Sequence, residues 1–200
     1  MHKTRLEAFT DGVLAIIITI MVLELKVPAV SHIADLAPLL PKFVSYVLSF
    51  IYVGIYWNNH HHTLQATRSV SGGILWANLH LLFWLSLLPF SSAWLGENHF
   101  TKEPMLLYGI NLLLCGVGYT IFSHALIAHH GKDSPLAHAF GRDTKGKVSL
   151  ALYVAGIGLT LLDPWLGFAA YSVVALIWLV PDTRMYKALN ELSAENRAGH

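Results

Sequence analysis

Long stretches without a charged side chain are the feature that most limits what this chain can fold into. Phe43 to Thr67, Ser69 to Gly96 and Pro104 to Gly131 contain no Asp, Glu, Lys or Arg. A helix needs about 20 mainly apolar residues to cross the hydrocarbon core of a bilayer. Only 12% of the 200 residues are charged and 54% are hydrophobic, whereas a typical soluble domain has about 25% charged residues. The pattern predicts a helical membrane protein.

Three further segments bring the predicted number of membrane spans to six. A helix from Arg5 to Lys26 is long enough to cross, and Val148 to Leu162 and Pro164 to Pro181 are two shorter charge-free runs. They are separated at Asp163, since an aspartate before a proline is typical of a turn that starts a new helix. No segment alternates with the period of two that a barrel wall requires. The predicted fold is therefore all-α, a six-transmembrane-helix bundle.

The distribution of lysine and arginine predicts the orientation of this bundle. With six spans both termini lie on one side, and that side carries ten of the 13 basic residues, leaving Lys26, Lys42 and Lys102 on the other. Because basic residues favour the cytoplasmic side, we expect both termini to be cytoplasmic. Residues 1–181 are predicted to form the six-helix transmembrane unit and 182–200 a cytoplasmic tail. The expected location is the cell membrane, as a multi-pass protein.

Composition and motifs also exclude several classes of protein. The net charge is +1 and no basic stripe is visible, so we expect no nucleic-acid partner. A single cysteine, Cys115, excludes an intrachain disulfide and a CxxC site. No Ser/His/Asp order, pair of catalytic carboxylates or phosphate-binding glycine loop is present, so we expect neither an enzyme nor a bound cofactor.

The start of the first span carries acidic groups that need partners. Glu7 and Asp11 are four residues apart, so they share a helix face, where two like charges destabilise each other. Arg5 lies on a different side of the helix. We expect Asp11 to accept hydrogen bonds from the second and third spans, near the cytoplasmic face. These spans offer polar donors: Trp57, Asn58, Asn59, His60, His61, His62, Trp76, Asn78 and His80.

Another face of the same helix is almost free of charge. Gly12, Ile16, Thr19 and Leu23 fall near one line, and Ile20 flanks it. Asp11 points about 140° away from Ile16, at 100° per residue. One interpretation of this stripe is a packing seam against a neighbouring helix. The other is a pore wall, where apolar rings gate by dewetting and a hydroxyl ring replaces part of an ion's hydration shell.

Several motifs, in order, resemble those of the transmembrane protein 175 family of endolysosomal and prokaryotic potassium channels. Arg5-Leu-Glu-Ala-Phe9-Thr10-Asp11 is similar to the RxxxFSD motif, with Thr10 in place of serine. Trp57-x-x-His60-His61 and Leu75-Trp76-Ala-Asn78-Leu also resemble the family's pattern. The similarity covers roughly the first 90 residues, and beyond them only the number of spans agrees.

The resemblance implies a potassium-permeable channel in which the first helix of each subunit lines the pore. Prokaryotic members have one six-helix unit per chain and assemble as homotetramers in the bilayer. Carried onto this sequence, the hydrophobic constriction is Ile16, the hydroxyl ring is Thr19 and a further apolar ring is Leu23. The resemblance also implies that Arg5, Phe9 and Asp11 pack against His60, Trp76 and Asn78 and hold the pore helix in place.

Two other classes of function stay open at this stage. A proton-conducting pathway or secondary carrier is the first alternative, although charged midplane sites and broken helices, which a carrier would need, are not visible. A haem protein or membrane enzyme with His80 and His124 as axial ligands is the second. The run His60 to His62 predicts no metal site, because three consecutive residues on a helix point 100° apart.

Overall fold

Helices make up nearly all of the described chain. The computed structural model describes residues 3–28, 32–67, 69–141 and 143–180. In these ranges the backbone forms a 3-10 helix over Ile33–Leu39, eight α-helices and no strand. The α-helices are α1 (Lys3–Leu23), α2 (Leu40–Gln65), α3 (Gly72–Ser86), α4 (Leu88–Glu97), α5 (Lys102–His130), α6 (Pro135–Phe140), α7 (Thr144–Thr160) and α8 (Pro164–Leu179).

Four helical segments are long and apolar enough to cross a membrane. They are Lys3–Leu23, Ile33–Gln65, Gly72–Glu97 and Lys102–His130. The remaining candidates are shorter, since α7 has 17 residues and α8 has 16. At 1.5 Å per residue α8 is about 24 Å long. The predicted tail, 182–200, lies outside the described residues.

Proline and aspartate set the helix boundaries. Pro89 has no N–H to donate to the series of backbone hydrogen bonds within a helix. The third apolar segment is divided just before it, at Leu87, into α3 and α4. Asp163 precedes Pro164, and its carboxylate accepts a hydrogen bond of 2.7 Å from the backbone N–H of Trp165. This cap satisfies one of the free donors at the start of α8, and the helix starts at Pro164, where the sequence pattern predicted.

The helices pack around α2 and α5. α1 lies against α2, α3 and α4, while α5 contacts α3, α4, α7 and α8. The larger core cluster contains fully buried residues such as Val53, Leu88, Leu112 and Tyr171. A second cluster, around Leu64, Ile74 and Phe122, closes the end of the bundle where α2 ends and α3 begins.

Glycine allows α4 to approach α2 closely. A Cβ added at Gly96 would lie 2.6 Å from the backbone Cα of Lys42, so only a hydrogen atom fits between these helices. The Lys42 ammonium pairs with the Glu97 carboxylate at 2.9 Å beside this contact. The close approach fixes the relative height of α2 and α4 at this end of the bundle.

Gly96→Ala should therefore lower the thermal stability of the purified protein, by about 1–3 kcal/mol, the usual cost of overpacking. Thermal unfolding in detergent measures this. Gly158→Ala is the matched control, because a Cβ at Gly158 meets no atom within 4 Å. Equal melting temperatures for the two variants would contradict the close packing of α4 on α2.

Candidate functional site: the two faces of the first helix

The helix α1 has a buried face and an exposed face along its whole length. The buried face contains Leu6, Thr10, Leu14, Ile17 and Met21. Their spacing of three and four residues places them on one side of the helix, against α2, α3 and α4. Much of the remaining surface of α1 is not covered by any helix of the described chain.

The uncovered side carries the stripe predicted from the sequence. Ile16 is 59% exposed and Leu23 is 76% exposed, and Gly12, Thr19 and Ile20 are exposed as well. The Thr19 hydroxyl donates a hydrogen bond of 2.8 Å to the carbonyl of Ile16. Because its proton is used within the helix, the lone pairs of the Thr19 oxygen are available to a group outside the subunit.

The opposite side of α1 is bound to α2 by three polar contacts, which we call the α1–α2 clasp. The Lys3 ammonium donates to the carbonyls of Leu64 and Gln65, both at 3.0 Å. The other two contacts are an ion pair of 3.0 Å between Glu7 and His61 Nδ1 and a hydrogen bond of 3.0 Å from Trp57 Nε1 to the Asp11 carboxylate.

The clasp is regular because the two helices are antiparallel. Its α1 residues are Lys3, Glu7 and Asp11, which are one turn apart. Their partners on α2 follow in reverse order, each about one turn closer to the start of α2 than the last. The Lys3 ammonium lies at the C-terminal end of α2, where a positive charge is favourable. The clasp therefore fixes the rotation and the height of α1 relative to α2.

A second polar chain joins α1 to α3 inside the bundle. Asn78 Nδ2 donates to the Thr10 hydroxyl at 2.9 Å, and the Asn78 amide oxygen lies 2.8 Å from His60 Nε2. The amide oxygen can only accept, so His60 carries its proton on Nε2. The imidazole also stacks on Phe122 at a ring distance of 4.9 Å. All three polar residues of the chain are buried.

The structure thus brings some of the predicted motif residues together and leaves others apart. Thr10, His60 and Asn78 form one cluster, and Asp11 is bound to Trp57 of α2 rather than to α3. Trp76 is 76% exposed, and Arg5 and Phe9 are exposed too. Arg5 and Phe9 lie outside the cluster because their side chains point to the same side of α1 as the stripe.

Sequence reasoning missed the pairing of Lys3 and of Glu7 with definite groups on α2. A sign of the pairing is present in the sequence, since Glu7 and Asp11 repeat at the same four-residue spacing as Trp57 and His61. Two antiparallel helices with matched spacing can form one contact per turn. The partner of each residue nevertheless depends on the rotation of both helices, which the spacing alone does not determine.

The histidines do not gather into a metal centre in the part of the chain that the structure describes. No group of three His, Cys, Asp or Glu side chains there could hold an ion. His80 Nε2 accepts a hydrogen bond of 3.1 Å from Trp84, and His124 Nδ1 lies 2.7 Å from the Thr120 carbonyl. Each of these two rings thus makes a contact within its own helix.

Comparison with known proteins defines the class. The family described as "Endosomal/lysosomal potassium channel TMEM175" matches residues 5–89. A protein of Chryseobacterium sp. named as a potassium channel is 53% identical over 191 residues, covering 96% of this chain and 100% of its relative. The human endosomal/lysosomal proton channel TMEM175 is 36% identical over 86 residues, covering 35% of this chain and 17% of the human protein.

A solved structure shares the fold. The crystal structure of a lysosomal potassium-selective channel TMEM175 homolog from Chamaesiphon minutus superposes with a TM-score of 0.76 and 26% sequence identity. The match covers 89% of this chain and 96% of the other. The all-helical fold is therefore that of a homolog in the potassium-channel class. The chain belongs to the TMEM175 family.

Asn78→Ala should destabilise the protein by about 1–3 kcal/mol, because it removes the shared partner of two buried polar groups, on Thr10 and His60. Thermal unfolding in detergent gives the magnitude. Asn98→Ala is the control, since Asn98 is exposed and donates only to a carbonyl of its own helix, at 2.9 Å. A loss of stability no greater than that of the control would show that the buried chain contributes nothing.

Proposed function

We propose that the chain is one subunit of a homotetrameric, potassium-permeable cation channel whose pore is lined by α1 of each subunit. The observation that carries the proposal is the division of α1 into two sides. The clasp and the buried polar chain hold one side inside the subunit, while the stripe of Ile16, Thr19 and Leu23 is exposed. The naming of the bacterial relative as a potassium channel supports the same conclusion.

One stripe cannot enclose a pore, so the proposal requires several copies around an axis. Closed rotational symmetry is the usual arrangement of identical subunits, and four copies is the number that the family resemblance implies. The tetramer places four Ile16, four Thr19 and four Leu23 side chains around the axis.

The proposed gate consists of Ile16 and Leu23, with Ile20 beside them. At 1.5 Å per residue these two rings are about 10 Å apart along the helix, and the Thr19 ring lies between them. A narrow apolar ring excludes water and so stops ions, whereas hydroxyl oxygens replace part of the hydration shell of a cation. Selectivity then arises from side chains rather than from a filter of backbone carbonyls.

The topology we propose has six spans, with both termini on the cytoplasmic side of a prokaryotic cell membrane. The two ends of the bundle support this assignment. Lys3 and Lys145 both bind backbone carbonyls at helix C-termini at one end, while Lys42 pairs with Glu97 at the other. Potassium is then the permeant ion rather than a cofactor, and transport through such a pore involves no enzymatic step.

A proton-conducting pathway is the second candidate, because the human relative is named a proton channel. The two candidates differ in which ion gradient drives a current across liposomes that contain the protein. A potassium pore passes current that follows the potassium gradient at constant pH on both sides. A proton pathway passes current that follows the pH gradient when potassium is absent, and a secondary carrier requires both gradients to be coupled.

Ile16→Asn should raise the resting potassium flux of reconstituted protein by about tenfold, which corresponds to a barrier lowered by about 1.4 kcal/mol. The reason is that a ring of amides wets a constriction that isoleucine keeps dry. Ile110→Asn is the matched control, because Ile110 is also an exposed isoleucine but lies on α5. Equal fluxes for the two variants would refute the assignment of Ile16 to the gate.

Asp11→Ala should reduce the yield of assembled tetramer or abolish potassium flux. The substitution leaves the Trp57 indole N–H without its acceptor and removes one contact of the clasp, so α1 loses its fixed rotation. Size-exclusion chromatography and liposome flux measure the two effects. Asp133→Ala, at an exposed position after α5, is the control, and behaviour like that control would contradict the role of the clasp.

A further inference from the structure

Inside the subunit, a cavity lies between α2, α5, α7 and α8. Residues from all four helices form its wall, among them Asn59, Thr120, Tyr153 and Trp178. None of the described residues that line it belongs to α1. The cavity is therefore separate from the exposed stripe and from the proposed pore, and what it binds is independent of whether α1 lies at a symmetry axis.

The cavity reaches the end of the bundle at which α7 begins and α2 and α8 end. Asp143 precedes α7 and Gly146 lies in the first turn of that helix, and both line the cavity. Trp178 lies close to the end of α8. Because Asp143 is only half-buried, a solute can enter the cavity from the aqueous phase at this end.

The volume of the cavity limits its occupant to a small molecule or ion. The free space is about 40 Å³. One water-sized group requires about 10–15 Å³ of such space, so the cavity holds about three groups of that size. It is too small for a sugar ring, a nucleotide or an acyl chain.

Aromatic rings form much of the cavity wall. The residues that contribute them are Tyr52, Tyr56, Tyr119, Tyr153 and Trp178. The face of an aromatic ring is electron-rich and attracts a cation, most strongly where water is excluded. Trp178 already has a cation beside it, since the Lys145 ammonium lies 4.8 Å from the centre of its ring. The wall therefore favours a cation with an apolar part.

Two polar side chains of the wall direct their donors into their own helices. The Thr120 hydroxyl donates to the Gly116 carbonyl at 2.9 Å, and the Asn59 amide nitrogen donates to the Ile55 carbonyl at 2.8 Å. The hydroxyl oxygen of Thr120 and the amide oxygen of Asn59 keep lone pairs. Among the hydrogen bonds of the described chain, neither oxygen receives a donor, so both are available to an occupant of the cavity.

Asp143 adds a carboxylate to the same wall. Its Oδ1 atom accepts a hydrogen bond of 3.2 Å from the backbone N–H of Gly146 and so caps α7. Its Oδ2 atom receives no donor from the residues that the structure describes. Asp143 is also the charged member of the described lining, which gives the cavity a negative charge beside its aromatic rings.

We propose that the cavity binds a small primary ammonium ion, of about the size of ethylammonium. A primary ammonium has three N–H donors, and Asp143, Asn59 and Thr120 offer the acceptors for them. The short alkyl part of the ligand then lies against the tyrosine rings. A potassium ion has no alkyl part to meet these rings, and water carries no charge to pair with Asp143.

Two sources present this chemical group to the cavity. One is a free alkylamine in the aqueous phase, and the other is the ethanolamine headgroup of a phospholipid at the membrane surface. Both end in a primary ammonium on a short alkyl chain. A choline headgroup is methylated at its nitrogen, so it is larger and has no N–H to donate.

Thermal unfolding of the purified protein in detergent tests the site. Ethylammonium chloride replaces potassium chloride stepwise at constant ionic strength, so that general screening does not change. A ligand that binds the folded state raises the melting temperature increasingly with its concentration. We expect a rise of several degrees with ethylammonium and none with tetraethylammonium, which is too large and has no N–H. A response to both ions, or to neither, would overturn the proposal.

Asp143→Asn removes the charge of the site alone. The asparagine oxygen can still accept from the Gly146 N–H, so the cap of α7 is kept. The affinity for ethylammonium should fall about tenfold, because a charge-assisted hydrogen bond becomes a neutral one. Asp133→Asn, at an exposed position after α5, is the matched control and should bind ethylammonium as the wild type does. Equal affinities of the two variants would refute the site.

Thr120→Val provides an independent variant with nearly unchanged shape. Valine has no oxygen to accept an N–H, so the affinity for ethylammonium should fall about threefold. Ser172→Ala is the matched control, because Ser172 also donates within its own helix, to the Phe168 carbonyl at 2.8 Å, and does not line the cavity. An affinity of Thr120→Val equal to that of this control would contradict the proposed set of acceptors.

Mixed micelles distinguish the two sources of the ammonium group. Phosphatidylethanolamine or phosphatidylcholine is added at the same concentration before the titration with ethylammonium. Competition by phosphatidylethanolamine alone supports the site and assigns it to the lipid headgroup, whereas an ethylammonium response that neither lipid changes supports the site and assigns it to a free amine. Equal competition by the two lipids would overturn the proposal, since the choline headgroup has no N–H donor.

Discussion

The satisfaction of the polar groups on α1 is the constraint on which the rest of the structure depends. A bilayer offers no water to the side chains of a spanning helix, so each polar group requires a partner in the protein. Asp11 and Glu7 find theirs on α2, and Thr10 finds its partner on α3. These contacts set the rotation of α1, and the rotation determines that Ile16, Thr19 and Leu23 are the residues left uncovered.

The polar contacts lie in the first half of α1, while the second half is held by apolar packing. Ile17 and Met21 are buried in the larger core cluster, and the Thr19 hydroxyl bonds only to the carbonyl of Ile16 among the hydrogen bonds described. Polar contacts have strict geometry, whereas apolar side chains can slide by small amounts. The N-terminal half of α1 is therefore fixed, and the half that carries the candidate gate has more freedom to move.

The sequence was sufficient for features that depend on local energies. Runs without charge predicted the helical segments, because burial of a charge in lipid is costly wherever it occurs, and Asp163-Pro164 correctly predicted the start of α8. The partners of single side chains were harder to predict. Asp11 was expected to bind both neighbouring spans but bonds to Trp57, and Trp76 was expected in the cluster but is exposed. Both depend on helix rotation, which is set by the packing of the whole bundle.

The separation of charge from the exposed stripe also bears on the proposed conduction. A fixed carboxylate on the pore wall would bind a cation strongly, and conduction requires that an ion leave as readily as it enters. Here the two carboxylates on α1 are used in the clasp, on the side opposite the stripe. Between Gly12 and Leu23 the proposed pore wall then offers only isoleucine, leucine and threonine side chains, while Arg5 and Phe9 lie on the same side nearer the start of α1. Such a wall discriminates by the cost of dehydration and holds no ion tightly, which favours fast passage once the apolar constriction is wet.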